Sequence, residues 1–144
     1  MSDIPAGNYA QRWAEDTRQL PPLVADERET LVGFLDWHRK TLELKCSGVP
    51  SERLPEQSIP PSGLCLQGLV RHLPGVERWW FRQQFGGEDL PQLYYSDDDP
   101  DQDFEAHGGD FGEDLRVWLS ECEAAREVGA SASSLDQTGM RRQR

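Results

Sequence analysis

Three histidines, His38, His72 and His107, are the residues of this sequence with the widest chemical reach. A neutral imidazole binds borderline metal ions, and three around one open position would suit zinc or nickel. An imidazole also gains and loses a proton near neutral pH. His72 stands in LCLQGLVRHLPGVERWWFRQQF, two residues before Pro74 and just ahead of Trp79, Trp80 and Phe81. It is the first candidate metal ligand. His38 and His107 are the other imidazoles the chain could bring to it, and no spacing in the sequence joins the three.

Other chemistries find less support. Cys46, Cys65 and Cys122 are odd in number and widely spaced, so they make neither a disulfide framework nor a CxxC zinc pattern. They read as reduced thiols of a cytoplasmic protein. The acidic run Asp97, Asp98, Asp99, Asp101 and Asp103 suggests calcium. A calcium loop starting at Asp97 would meet Gln102 where Gly is needed and Gly108 where a bidentate acid is needed. A solvated acidic loop is the simpler reading. No GxSxG elbow is present, and the Gly-Gly pairs lack the Lys-Ser/Thr of a phosphate loop.

Helices must position these side chains. Asp26 and Glu29 have the form of a capping box, opening a helix over 26–46. Leu31, Phe34, Leu35, Leu42 and Cys46 keep a helical stripe, and His38 falls on it, which predicts that His38 points inward or toward a pocket between helices. A second helix is predicted over 64–85, with Ser62 as its cap. Leu66, Leu69, Val70, Leu73, Val76 and Trp80 form its apolar face. Pro74 lacks a backbone N–H and its ring meets the carbonyl of Val70, so a kink is expected near Val70–Pro74. A third helix is predicted over 111–128, closed by Gly129, with Leu115, Trp118, Leu119, Cys122, Ala125 and Val128 on one side.

The rest reads as connections. Residues 1–24 form an arm in which Trp13 docks on the body, and 130–144 a flexible tail, leaving 25–129 as the domain. Between the first two helices, 47–63 is a Pro-rich loop with one helical turn at 51–54 capped by Ser51. A long polar crossover, 88–110, precedes the third helix. The fold class is therefore all-α: an up-down helical bundle of three main helices.

A net charge of −11 repels phosphate backbones, and the basic residues cluster only at Arg141, Arg142 and Arg144, which argues against nucleic acid as a partner. There is no apolar run of membrane-spanning length and no basic-then-apolar leader at the N-terminus. Cytoplasmic localisation is the expectation.

Three blocks carry a resemblance: DERETLVGFLDWHRKTLELKCSGV, IPPSGLCLQGLVRHLPGVERWWF and GEDLPQLYYSDDDPDQDF. From about Pro21 to Arg144 the sequence resembles the DinB-like four-helix-bundle superfamily, nearest its actinobacterial mini-circle branch. The resemblance implies a four-helix bundle with a long connection between helices 2 and 3. It implies a divalent metal held by one histidine of helix 2 and two of helix 4, and transfer of a low-molecular-weight thiol such as mycothiol, bacillithiol or glutathione. His72, in LVRHL, matches the helix 2 ligand.

The sequence ends at SLDQTGMRRQR, before the fourth helix with its ligand pair. The leading expectation is a metal-dependent thiol S-transferase scaffold without an intact metal site. One alternative is an active transferase whose Zn or Ni is held by His38, His72 and His107 or across a homodimer. Another is a non-catalytic interaction or small-ligand module built on the Trp/Phe groove. Three wide apolar stripes lacking a fourth helix also suggest dimerisation through the uncovered face.

Overall fold

In the computed structural model, residues 16, 18–105 and 109–139 are described. Trp13, His107 and the terminal arginines lie outside them. Among the described residues the regular structure is helical: α1 (Glu27–Cys46), α2 (Leu66–Glu77), a π-helical continuation of α2 (Arg78–Phe85) and α3 (Phe111–Ser131), with short 3-10 turns at Ser51–Arg53 and Gln102–Phe104. The all-α expectation is met. The chain divides into two compact units, Met1–Val49 and Pro50–Arg144.

The first unit is built on α1. Its capping box is complete: Asp26 Oδ1 accepts from the Glu29 N–H at 2.8 Å, and the Glu29 carboxylate accepts from the Asp26 N–H. The preceding segment runs back along the helix. Pro22 lies over Gly33, where a Cβ would come within 3.0 Å of its ring. Arg18 donates to Thr41 Oγ1 at 2.7 Å and covers the Trp37 ring at 4.6 Å. Its bonds to Asp16 hold that carboxyl down at about 2.

The helical stripe does not decide burial here. Leu31 and Phe34 are half exposed, while Arg39 and Cys46 are buried. His38 is exposed and meets the neighbouring Trp37 edge-on, with ring centroids 5.3 Å apart. The inward orientation expected of it is thus corrected.

The second unit centres on α2 against α3. The cap of α2 is Cys65, whose Sγ accepts from the Gly68 N–H at 3.2 Å; Ser62, the expected cap, accepts instead from the Leu64 N–H. The turn at Ser51–Arg53 forms as expected but has no side-chain cap. Beside it, buried Leu54 offers its carbonyl to the Gln67 N–H.

The buried side of α2 is rotated from its apolar stripe. Gln67, Gly68, Val70, Pro74, Gly75 and Glu77 are buried, whereas Leu66, Leu69, Leu73 and Val76 are intermediate and Trp80 is exposed. On α3 the buried positions are Asp114, Trp118, Glu121, Cys122 and Ala125, and Leu119 is partly exposed. Polar partners across the seam explain the rotation. Gln67 bonds Asp114 at one end, Glu77 accepts from the Cys122 thiol in the middle, and Arg78 and Arg82 grip buried Glu121 at the other end. A buried polar side chain is tolerated where its partner is also buried.

Pro74 lies inside α2, which stays α-helical from Leu66 to Glu77. From Arg78 on, the backbone winds in wide turns, and the Gly86 N–H returns to the Phe81 carbonyl five residues back at 2.8 Å. Such turns are rare and concentrate at functional sites. At the far end, α3 runs through Gly129 to Ser131 instead of closing there. Gly129 stays in the helix because it lacks a positive φ and has ordinary room around it.

Candidate functional site: a histidine–carboxylate pair on α2

The first two turns of α2 carry Gln67, Gly68, Arg71 and His72, and the crossover comes to meet them there. Glycine is what permits the approach. A Cβ at position 68 would lie 2.7 Å from the Phe104 carbonyl oxygen and 3.2 Å from its Cα. Seven residues on, a Cβ at Gly75 would lie 3.0 Å from the Tyr95 ring. Two bare positions on one helix face thus seat the crossover directly on the backbone of α2.

The 3-10 turn at Gln102–Phe104 then delivers two side chains to His72. Asp103 Oδ2 is 2.8 Å from His72 Nδ1. The Phe104 ring stacks on the imidazole, with centroids 4.4 Å apart and planes 23° from parallel. Asp103 is 2% exposed, and its Oδ1 is buried with no hydrogen-bond partner among the described residues. An orphaned carboxylate oxygen costs about 1–3 kcal/mol. The imidazole keeps 36% of its side-chain surface open. With a carboxylate oxygen on Nδ1, a neutral ring carries its proton there, and the lone pair falls on Nε2, which has no partner among the described residues.

A polar layer backs the pair. Arg71 Nε donates to the Asp103 carbonyl at 3.3 Å, its guanidinium lies 3.6 Å from Asp114 Oδ1, and it covers the Tyr94 ring at 4.4 Å. Gln67 Nε2 donates to Asp114 Oδ2 at 2.8 Å and to the Gly109 carbonyl at 3.0 Å. Tyr94 has φ 51°, the left-handed region that a bulky residue enters only at a cost. Burial, reinforced by the Asp114 charge, pushes its phenol up to about 12.

The candidate ligands of the sequence fall in different parts of the chain. His72 stands at this site; His38 is exposed on α1 in the other unit, and His107 lies outside the described residues. Asp103 was missed. It belongs to no solvated run: it is turned inward, while Asp97 accepts from Gln92 in the same crossover. Its only local signal is Phe104, the one aromatic residue between Ser96 and Asp110. The cysteines stay bland. All three are buried and in no disulfide, and burial pushes the Cys46 thiol up to about 11.

A structural or catalytic zinc needs at least three protein donors. Among the described residues no three His, Cys, Asp or Glu side chains gather as a metal-holding group. His72 offers one donor, Nε2, and Asp103 is already engaged on Nδ1. These residues fit a fragment of a metal centre, so no step is derived through a metal.

A family model described as mycothiol-S-transferase matches residues 30–144. No curated protein and no solved structure matches the chain. No helix among the described residues is long and apolar enough to cross a membrane.

Proposed function

Because the chain belongs to the mycothiol-S-transferase family, in keeping with its DinB-like resemblance, we propose that it handles a low-molecular-weight thiol of the mycothiol type on a transferase scaffold, with His72 as its reactive group. The observation that carries this reading is the 2.8 Å contact of His72 Nδ1 with buried Asp103. A base must be oriented, and an imidazole held by a carboxylate at one nitrogen offers the other as acceptor.

The step would run as follows. Nε2 takes the proton of the thiol, and Asp103 stabilises the resulting imidazolium. The thiolate sulfur forms a bond to an electrophilic carbon, and the displaced group leaves with the electron pair of the bond it breaks. The proton on Nε2 passes to that group or to water.

A second reading has one specific support. A metal-bound histidine commonly donates its other ring N–H to a carboxylate, the relationship Asp103 has with His72. In that reading Nε2 is a ligand of zinc or nickel, and a second copy of the chain completes the centre.

Turnover of an activated aryl halide with mycothiol tests both. We expect His72→Ala to lower transfer by about 100-fold or more, with no effect of a chelator. Activity that survives His72→Ala overturns the proposal. Stoichiometric zinc or nickel in the purified protein, lost in His72→Ala together with chelator-sensitive turnover, decides for the second reading.

A further inference from the structure

Asp103 touches His72 through one carboxylate oxygen, and its other oxygen has no partner among the described residues. No second side-chain bond fixes the rotation of that carboxylate. Its aim therefore depends on where the backbone of Asp103 is held. We propose that Arg71 is the positioning residue of the pair: its Nε–H grips the Asp103 carbonyl, and its guanidinium ties that turn to the start of α3. The role rests on His72 being the reactive base of this chain.

Two consecutive residues of α2 act on one aspartate. His72 Nδ1 meets the Asp103 carboxylate at 2.8 Å, while Arg71 Nε donates to the carbonyl of the same residue at 3.3 Å. Neighbouring side chains on a helix leave the axis in different directions, so Asp103 is held from two sides.

A distance of 3.3 Å is long for an N–H···O bond, and alone it would hold the turn loosely. What stiffens it is that the guanidinium is itself fixed. Arg71 Nη1 lies 3.6 Å from Oδ1 of Asp114, a buried carboxylate in the first turn of α3. Gln67 Nε2 donates to the other oxygen of Asp114 at 2.8 Å, so the anchor is anchored in turn. The Tyr94 ring covers the guanidinium face at 4.4 Å. Tyr94 takes φ 51° there, a conformation that persists only where the surroundings impose it. Residue 109 closes the remaining side: a Cβ on Gly109 would lie 3.3 Å from Arg71 Nη1.

These contacts need a planar, delocalised cation. Arginine offers Nε–H to one acceptor, an Nη edge to a carboxylate and a flat face to a ring, all at once. A lysine ammonium is a point charge on a flexible stem and serves one of these at a time. Lysine therefore separates the work of the fork from the work of the charge.

Nitrogen-15 NMR of His72 in Arg71→Met and Arg71→Lys, on the full chain, tests the role, with mycothiol turnover measured beside it. Both variants should keep their far-UV circular dichroism. We expect the neutral ring to gain the Nε2–H form in both, and kcat to fall about ten- to a hundredfold with KM held within about twofold. A role in packing alone would lower thermal stability and leave the tautomer of the parent. The parent tautomer in folded Arg71→Met, or its full rescue by Arg71→Lys, overturns the proposal. Where Arg71→Met does not fold, Arg71→Lys decides by the same signal. A kcat loss with the parent tautomer also overturns it, since Arg71 would then act on the substrate. The tautomer is read without turnover, so a chain that transfers no thiol defeats the proposed function while the ring still judges Arg71.

Discussion

His72 and Asp103 are 31 residues apart in sequence, yet a single 2.8 Å contact joins the imidazole Nδ1 of one to the carboxylate of the other. Among the described residues Asp103 makes no other side-chain hydrogen bond, and it is almost wholly buried. A carboxylate in that position sets which ring nitrogen carries the proton.

Nitrogen-15 NMR of His72 should therefore find the neutral ring as the Nδ1–H form in the parent protein. In Asp103→Ala the Nε2–H form, favoured by a free imidazole, should take over. An unchanged tautomer in the variant would mean that the contact orients nothing. Removing a carboxylate whose second oxygen is already orphaned should lower stability by no more than about 1–2 kcal/mol.

Two glycine-to-alanine changes should have opposite signs. At position 68 a methyl group would stand 2.7 Å from the Phe104 carbonyl, backbone that cannot swing aside. The strain of overpacking, about 1–3 kcal/mol, outweighs the gain in helix propensity of about 1 kcal/mol. At position 129 the nearest atom is Phe81 Cε1 at 3.9 Å, an ordinary contact, so Gly129→Ala should stabilise by up to about 1 kcal/mol. Urea denaturation of both variants measures the difference. Gly68→Ala should also alter the His72 signals, because the turn bearing Asp103 and Phe104 must move.

Alkaline titration should single out Tyr94. With its phenol at about 12 against an ordinary 10, Tyr94 stays protonated in the folded protein after it would ionise in the unfolded chain. Its contribution to stability is complete below pH 10 and is lost as pH rises toward 12. Tyrosinate absorbance should show one late phenol, absent from Tyr94→Phe. Stability measured between pH 9 and 12 should fall less steeply in that variant. A phenol that titrates with the others would place Tyr94 in solvent.

What was legible in the sequence was local. The capping box of α1 depends on two residues three apart, and it forms as written. The three helices follow from their apolar periodicity, and His72 stood out by its neighbours. Which face each helix buries was not legible. That choice turns on pairs such as Gln67–Asp114 and Arg78–Glu121, 47 and 43 residues apart, and periodicity counts their members as solvent-facing. Asp103 escaped for the same reason: an acidic residue among acidic residues looks solvated until a distant imidazole claims it. Gly68 and Gly75 carried no visible sign, because their role is to be bare where another segment arrives. The wider winding that begins at Arg78 was not legible either.

That wider winding lets one continuous helix tolerate length changes at one end only. A residue gained or lost among Arg78–Phe85 can be absorbed by the i to i+5 turns, re-aiming Trp80 and Gln84. Leu66–Glu77 need not shift, and His72 keeps its place against Asp103. The aromatic surface at the end of α2 can therefore be re-aimed without moving the imidazole from its carboxylate.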